Sequence, residues 1–204
     1  MGLTDDSKTK PSPSLNAIEI PIVVVSGLPA SGKSTLSRKL APALGLSLID
    51  KDDILEGLFE TIGVGDTDWR RRLSRASDSI VQRMARSSPG AVLTSFWRWP
   101  GMSDDSGTPI DWIAATSHRV VEVYCAIDPQ LAATRFVSRP RHAGHLDQIK
   151  RYDEVVATFR ALAAAGPLCI GSLLRVDTSG IVDSDAVTRD VRALLSSSFG
   201  ETTP

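Results

Sequence analysis

Gly27-Leu-Pro-Ala-Ser-Gly-Lys-Ser34 is the stretch that decides the fold: four residues separate two glycines, and a lysine and a serine follow the second. A near-continuous apolar run at 20–25 precedes it, and a helical pattern at 33–44 follows it. Glycines at these two positions let the backbone turn tightly, so that successive N–H groups point at phosphate oxygens. The order strand, loop, helix is the context that a phosphate-binding loop requires, and we predict one here.

The polar residues of this loop have distinct chemical tasks. Lys33 would place a positive charge on the β and γ phosphates of a nucleotide, and the Ser34 hydroxyl would be a ligand for Mg²⁺. The helix that follows adds the positive end of its dipole. We therefore expect the phosphates to be bound by the loop and the first residues of its helix, namely Gly27, Leu28, Pro29, Ala30, Ser31, Gly32, Lys33, Ser34 and Thr35.

The remainder of the chain alternates short apolar runs with longer segments of helical periodicity. Buried runs of this kind are typical of parallel strands that helices cover on both faces, so the predicted fold class is α/β. We expect a disordered leader at 1–16, which is polar and contains two prolines, and a single domain at 17–204. The predicted strands are 20–25, 46–49, 91–96, 119–127 and 173–176.

The composition excludes several functional classes. The 204 residues include 23 Lys plus Arg and 24 Asp plus Glu, so the bulk positive charge that sequence-independent nucleic-acid binding requires is missing. Two cysteines are too few for a disulfide framework or a thiolate metal site. No run approaches the ~18 apolar residues of a membrane span, and the beginning lacks the basic and apolar regions of a signal peptide. We expect a cytoplasmic monomer or homodimer without membrane or nucleic-acid partners.

Other features separate the classes of nucleotide-binding protein. GTPases recognise guanine through an Asn-Lys-x-Asp motif, and the only asparagine here is Asn16, in the predicted leader. The Ser-Gly-Gly signature of transport ATPases is absent, and ring ATPases need a longer chain. These exclusions leave a compact phosphotransferase that binds ATP and a small acceptor.

Several segments occur in an order that resembles the P-loop small-molecule kinases, a family that includes shikimate and gluconate kinases, chloramphenicol phosphotransferase and AAA-domain kinase-like proteins. The resemblance spans about residues 20–179, and only its first motif is specific. It implies a P-loop NTPase three-layer sandwich, with five parallel strands in the order 2-3-1-4-5, helices on both faces and an arginine-bearing lid. The segments are Gly27 to Ser34, Leu48 to Ile54, Ala91 to Phe96, Asp128 to Arg135 and Arg139 to His142.

Acidic residues follow the second predicted strand, at the edge where parallel sheets bind ligands. Asp50 and Asp52 are two residues apart, so an extended backbone would place them on one side. The resemblance implies that Asp50 holds Mg²⁺ and that Asp52 accepts or orients the acceptor hydroxyl. Asp53 is the rival for this second role, and either Asp52 or Asp53 could instead cap a helix beginning at Ile54.

The third predicted strand ends in Thr94 and Ser95, where many P-loop proteins carry an acid for the metal. Asp50 would then carry more of the metal shell, or Asp128 would contribute. For Asp128 we prefer the role of a helix cap before Pro129.

Arginines are dense in the segment 135–145, although the chain is nearly neutral. The resemblance implies a mobile lid in which Arg135 stacks on adenine while Arg139 and Arg141 contact phosphates. The turn at 177–180, which includes Thr178, would border adenine on the other side. The alternative is a solvated basic helix end.

Trp97-Arg98-Trp99 follows the third strand at the ligand edge and concentrates aromatic rings around one cation. Flat apolar walls with a cation would suit a sugar-like, aromatic or carboxylated acceptor. The alternative is that one tryptophan closes the core and the other caps a loop.

Together these features predict an ATP- and Mg²⁺-dependent kinase acting on a hydroxyl of a small molecule, either a sugar-like metabolite or an antibiotic. Lys33, Asp52 and Arg139 would carry the catalysis, with Asp53 as a possible further contact to the acceptor. The alternatives are a nucleotide or polynucleotide 5′-kinase and a non-catalytic ATP-binding regulator.

Overall fold

The computed structural model describes residues 20–103, 106–117, 119–140, 142–145 and 151–197, and the predicted leader lies outside these ranges. The described strands and helices alternate as the sequence predicts. The strands are β1 (Ile22–Gly27), β2 (Ser47–Asp50), β3 (Ala91–Thr94), β4 (Val120–Ala126) and β5 (Ser172–Asp177). The helices are α1 (Lys33–Leu44), α2 (Lys51–Ile62), α3 (Thr67–Ser87), α4 (Asp111–Thr116), α5 (Pro129–Ser138), α6 (Tyr152–Ala165) and α7 (Ser184–Ser197), with a 3₁₀ turn at Ala143–His145.

The five strands form one parallel sheet in the order β2-β3-β1-β4-β5, which confirms the predicted architecture. β1 is central: Ile22 pairs with Ala91 of β3 on one side and with Val120 of β4 on the other. All six residues of β1 are buried, as expected for a strand that is covered on both faces. The loop that follows β1 therefore lies at the middle of the sheet's carboxyl edge.

Alternate residues of β1 supply two hydrophobic layers, because successive side chains of a strand point to opposite faces. Ile22 and Val24 pack in the layer that includes residues of α3 and α4. Val23 and Val25 pack in the layer that includes residues of α1 and α7. The helices thus cover both faces of the sheet and pack around β1, which leads into the loop.

Two helix boundaries differ in how well the sequence predicts them. Asp128 caps α5, since its side chain accepts a hydrogen bond from the Leu131 N–H at 3.0 Å, and the predicted cap is confirmed. The helix predicted to begin at Ile54 begins instead at Lys51, because the Asp50 carboxylate accepts from the Asp52 N–H at 3.0 Å. Neither Asp52 nor Asp53 is the cap.

A buried carboxylate joins the end of β1 to the segment that leads into β5. Glu122 of β4 has no exposed surface, and it accepts hydrogen bonds from Ser26 Oγ (2.5 Å), Leu168 N (2.8 Å) and Ile170 N (3.4 Å). Ser26 immediately precedes the first loop glycine, so Glu122 anchors the backbone at that point. Within the described ranges, none of the helices combines the length and the apolar character needed to cross a membrane.

Candidate active site

A cleft of about 970 Å³ lies along the carboxyl edge of the sheet. Its walls come from the phosphate-binding loop and the start of α1, the β2–α2 junction, the end of β3, and parts of α3, α5 and α6. This is the edge at which open parallel sheets bind ligands, because loops from neighbouring strands converge there. The cleft brings together residues that are more than 100 positions apart in the chain.

The loop has the conformation that its two glycines permit. Gly27 and Gly32 have φ angles of 128° and 95°, a region that side chains with a Cβ rarely adopt. A Cβ on Gly27 would also lie 2.6 Å from the Cys125 carbonyl oxygen, so only glycine fits against β4. Two of the predicted loop residues, Leu28 and Ser31, are buried. The predicted residues that line the cleft are Pro29, Ala30, Gly32, Lys33, Ser34 and Thr35.

The Lys33 ammonium is held under the loop by two backbone acceptors. Nζ donates to the Gly27 carbonyl at 3.1 Å and to the Leu28 carbonyl at 2.8 Å. Burial lowers the pKa of Lys33 to about 8, while the nearby Asp52 carboxylate opposes this shift. Lys33 is therefore a positioned donor whose charged form a bound anion would stabilise.

Ser34 and Asp50, the two predicted metal ligands, are in direct contact. Ser34 Oγ donates to Asp50 Oδ2 at 2.7 Å, and Asp50 is buried. Burial raises the pKa of Asp50, and the hydrogen bond from Ser34 opposes that rise.

A hydroxyl and a carboxylate oxygen at one point are hard ligands of the kind that Mg²⁺ takes, so the donor set fits this ion. The described residues contain no cluster of three or more His, Cys, Asp or Glu that could hold a metal. Water and phosphate oxygens would therefore complete the shell, as is usual for Mg²⁺ bound with a nucleotide.

The structure separates the two rival acids that follow Asp50. Asp52 lines the cleft, close enough to Lys33 for its charge to act on the pKa of that lysine. Asp53 does not line the cleft; it pairs with Arg38 at 3.0 Å on the protein surface, where both side chains are more than half exposed. The adjacent helical positions point in different directions, and only Asp52 is brought to the site.

The predicted adenine and phosphate arginines lie on the α5 side of the cleft. Arg135 donates to the carbonyls of Thr178 (2.9 Å) and Ser179 (2.5 Å), while the Thr178 hydroxyl donates to the Ala126 carbonyl. Thr178 therefore holds Arg135 through its backbone, and its own side chain is buried. The Arg139 guanidinium lies 5.3 Å from the Phe136 ring centroid, and its charge contributes to the lowered pKa of Lys33. Arg141 lies outside the described residues.

The predicted aromatic acceptor pocket needs correction. Trp97 is fully buried and donates from Nε1 to the Val25 carbonyl at 2.9 Å, while Trp99 is 2% exposed and donates to the Gly166 carbonyl at 2.7 Å. Arg98 donates to the Ser106 carbonyl, and none of the three residues lines the cleft. The indoles belong to the hydrophobic core, and of the four consecutive residues Phe96 to Trp99 only Phe96 lines the cleft.

A polar network on the floor of the cleft was not predicted. Lys51 Nζ lies 2.6 Å from Asp78 Oδ1 and donates to Ser74 Oγ at 3.1 Å. The Thr108 hydroxyl donates to Asp78 at 2.8 Å and lies 2.6 Å from the Ser95 hydroxyl. A carboxylate of α3 thus lies behind the third-strand position that lacks an acid. The sequence feature that indicates this network is the group of polar residues at positions 74, 77 and 78 of α3, an amphipathic helix.

Residues 142–145 cross from the end of α5 to α2. His145 Nε2 lies 2.8 Å from Glu56 Oε1, and His142 stacks on Phe59 at 5.4 Å between ring centroids. A Cβ at Gly144 would lie 2.5 Å from the Phe59 ring, so glycine allows this close approach. Both histidines thus contact α2, His145 through Glu56 and His142 through Phe59.

The fold and the cleft together define a P-loop protein, with a phosphate cradle and a hydroxyl–carboxylate pair at its base. Residues 22–164 match the family described as AAA domain, which covers more than two thirds of the chain. The chain belongs to this family, and with it to the P-loop small-molecule kinases, so the predicted resemblance is confirmed.

Solved structures show the same fold. A candidate kinase from Chloroflexus aurantiacus aligns with a TM-score of 0.67 and 23% identity, over 89% of this chain and all of that one. A shikimate kinase from Bacteroides thetaiotaomicron aligns with a TM-score of 0.56 and 19% identity, over 86% and 98%. At these identities the likeness concerns the fold.

A local sequence match is stronger. The shikimate kinase of Mycobacterium tuberculosis (strain CDC 1551 / Oshkosh) is 56% identical over 74 residues, which are 35% of this chain and 42% of the relative. This chain spans less than half the length of the curated relatives that it matches, this one included.

Proposed function

We propose that this protein is an ATP- and Mg²⁺-dependent kinase that transfers the γ-phosphoryl group to a hydroxyl of a small molecule. The observation that carries the proposal is the meeting of three groups in one cleft: the Lys33 ammonium, the Ser34–Asp50 pair and the Asp52 carboxylate. A phosphate cradle, a metal site and a proton acceptor are the parts that phosphoryl transfer to an alcohol requires.

The residues of the cleft have separate roles in this proposal. Lys33 and the loop N–H groups bind the phosphates, and Ser34 with Asp50 holds the metal ion, which neutralises phosphate charge when bound. Arg139 lies close enough to Lys33 to stabilise charge that develops on the transferred group. Arg135, fixed by two carbonyls beside β5, contacts the adenine ring.

Asp52 acts on the acceptor in this proposal. Its carboxylate lines the cleft on the β2 side of the loop, facing the space next to Lys33. It orients the attacking hydroxyl and takes its proton at a carboxylate oxygen as the new P–O bond forms. The segment 142–145, which bridges α5 and α2, would exclude water as part of a lid; Arg141 would join it there.

A nucleotide or polynucleotide 5′-kinase and a non-catalytic ATP-binding regulator remain the alternatives. The near-neutral charge balance disfavours a polynucleotide strand. The presence of Asp52 beside Lys33 disfavours a regulator without catalytic acids. A cytoplasmic location and a monomeric or homodimeric state complete the proposal, and the two free cysteines fit a reducing compartment.

The test is a phosphotransfer screen read by mass spectrometry. Purified protein, ATP and Mg²⁺ are incubated with pooled sugars, polyols, nucleosides and hydroxylated antibiotics. We expect a product 80 Da heavier than one acceptor (the mass of HPO₃), and its loss in Lys33→Ala. Lys39→Ala, an exposed lysine on the same helix, is the matched control and keeps activity.

Two further variants test the acceptor base. Asp52→Asn should lower kcat by a factor of about 10² to 10⁴ with little change in ATP affinity. Asp53→Asn, at the neighbouring position outside the cleft, should keep near-normal turnover. Full activity of Lys33→Ala would refute the cradle assignment, and a large loss confined to Asp53→Asn would move the base by one position. ATP binding without product on any acceptor would favour the regulator.

A further inference from the structure

The two ends of the cleft differ in the elements that line them. Arg135 and the turn after β5 lie on the β4–β5 side of the loop. The opposite end lies over β2 and β3, and we call it the acceptor half. It is lined by Lys51, Asp52, Leu55, Ser74, Ser95 and Phe96.

The one cation among these six residues is already neutralised. Lys51 Nζ lies 2.6 Å from the Asp78 carboxylate, and the two side chains are only 9% and 14% exposed. Asp78 is held in turn by the Thr108 hydroxyl at 2.8 Å. An acceptor carboxylate that recruited Lys51 would have to separate this pair and leave Asp78 as a buried, unbalanced charge, which is strongly unfavourable.

The other charges near this half are negative or belong to closed pairs. Asp52 is a carboxylate, Asp50 is the carboxylate assigned to Mg²⁺, and His145 is paired with Glu56 at 2.8 Å. Within the described ranges, the remaining lysine and arginines of the cleft are Lys33, Arg135 and Arg139, which the proposed function assigns to the nucleotide. An anionic group in the acceptor half would therefore meet repulsion without a compensating cation.

The uncharged groups show what would bind instead. The Ser74 and Ser95 hydroxyls form the floor, beside the Lys51–Asp78 pair, and a hydroxyl can both donate to and accept from an alcohol. Leu55 and Phe96 supply an apolar wall. This combination matches a ligand with several hydroxyls and one apolar face.

We infer that the acceptor is an uncharged polyol or a cationic amino alcohol, and that it carries neither a carboxylate nor a phosphate. The inference rests on the proposed kinase function and narrows its substrate class. It distinguishes this site from one built for an acid such as shikimate or gluconate.

The test measures kcat/KM for acceptors of related structure and different charge. The probes are gluconate against glucitol and glucosamine, and shikimate against its methyl ester, at constant ionic strength. We expect the uncharged or cationic member of each pair to be favoured by about tenfold or more; preference for the acids overturns the inference. If these probes yield no product, the test is the charge of the acceptor that the wider screen identifies. An acceptor with a carboxylate or a phosphate overturns the inference, and an acceptor with neither supports it. No product from any compound removes the proposed function itself, and the inference with it.

A variant tests the role of the neutral pair directly. Asp78→Asn removes the carboxylate that balances the charge of Lys51, so the discrimination against acids should fall by about tenfold. Asp68→Asn, an exposed acid on the same helix, should leave the ratio unchanged. Unchanged discrimination in a folded Asp78→Asn protein would overturn the role of the pair. The wild-type comparison decides the substrate class even if that variant does not fold.

Discussion

Nucleotide binding should draw a proton onto Lys33. The half-buried Lys33 side chain places its ammonium under the loop, where desolvation lowers its pKa from the ordinary 10.5 to about 8. Its two hydrogen-bond acceptors are neutral carbonyls, which hold the charge less well than water or an anion would. A phosphate group beside it would stabilise the charged form and return the pKa towards or above its ordinary value. Protonation of Lys33 and nucleotide binding are therefore linked.

The size of the effect follows from the lowered pKa. With a pKa near 8, the neutral amine makes up roughly a tenth of the nucleotide-free protein at pH 7, about half at pH 8 and about nine tenths at pH 9. The bound state holds a full proton across this range. Uptake should therefore rise from about 0.1 proton per nucleotide at pH 7 to about 0.9 at pH 9. Because protons are taken up on binding, affinity should fall as the pH rises, by up to about tenfold per pH unit above 8.

Isothermal titration calorimetry measures this uptake. ADP is titrated at pH 7, 8 and 9, each in two buffers of different ionisation enthalpy, and the difference in apparent binding enthalpy gives the number of protons. ADP itself is almost fully deprotonated at pH 8 and above, so uptake there reports on the protein. Lys33→Arg is the control, since a guanidinium keeps its charge throughout.

Equal uptake in the wild-type protein and Lys33→Arg would refute the assignment to Lys33. Absence of uptake at pH 9 would mean that the buried ammonium keeps its proton without a phosphate, and that the loop carbonyls stabilise it better than burial destabilises it. Either result would contradict the reasoning from the two carbonyl contacts.

Three further predictions follow from other parts of the structure. Glu122→Leu removes the acceptor of three hydrogen bonds, two of them buried, so it should lower the free energy of unfolding by about 3–5 kcal/mol, measured by urea denaturation. Arg135→Met should raise the Kd of ATP roughly tenfold while leaving that of inorganic triphosphate unchanged, because Arg135 is assigned to adenine. Asp50→Asn should raise the Mg²⁺ concentration for half-maximal activity about tenfold or more, whereas Arg38→Gln, which leaves the cleft intact, should not. An unchanged urea midpoint would refute the prediction for Glu122→Leu. An equal loss of triphosphate binding would refute that for Arg135→Met, and an unchanged Mg²⁺ requirement would refute that for Asp50→Asn.

The sequence predicts the fold well because its signals are local and repeated. β1 is a continuous apolar run ending in two glycines with unambiguous backbone demands, and Asp128-Pro129 marks the start of α5. The start of α2 was misplaced by three residues because Asp50 has two roles. The Asp50 carboxylate contacts Ser34, as the predicted metal site requires, and it also caps α2. The sequence pattern indicates the metal site but not the cap.

The phosphate side of the cleft was predictable for a similar reason. Lys33 and Ser34 belong to one contiguous motif whose geometry the loop itself imposes. The distant Arg135 was assigned through resemblance, and the structure places it beside the predicted turn at Thr178.

The acceptor side was harder to predict because tertiary contacts decide which of its side chains face the cleft and which are buried. Phe96 and Trp97 are adjacent, yet one faces the cleft and the other is buried against β1, since the Trp97 indole finds its acceptor in the Val25 carbonyl. Lys51 carries a charge that sequence alone would offer to an acidic ligand. Its partner Asp78 lies 27 positions away, and only the packing of α3 against the β2–α2 junction brings the two within 2.6 Å. The partner that balances the charge of Lys51 is therefore a residue that no local motif reveals.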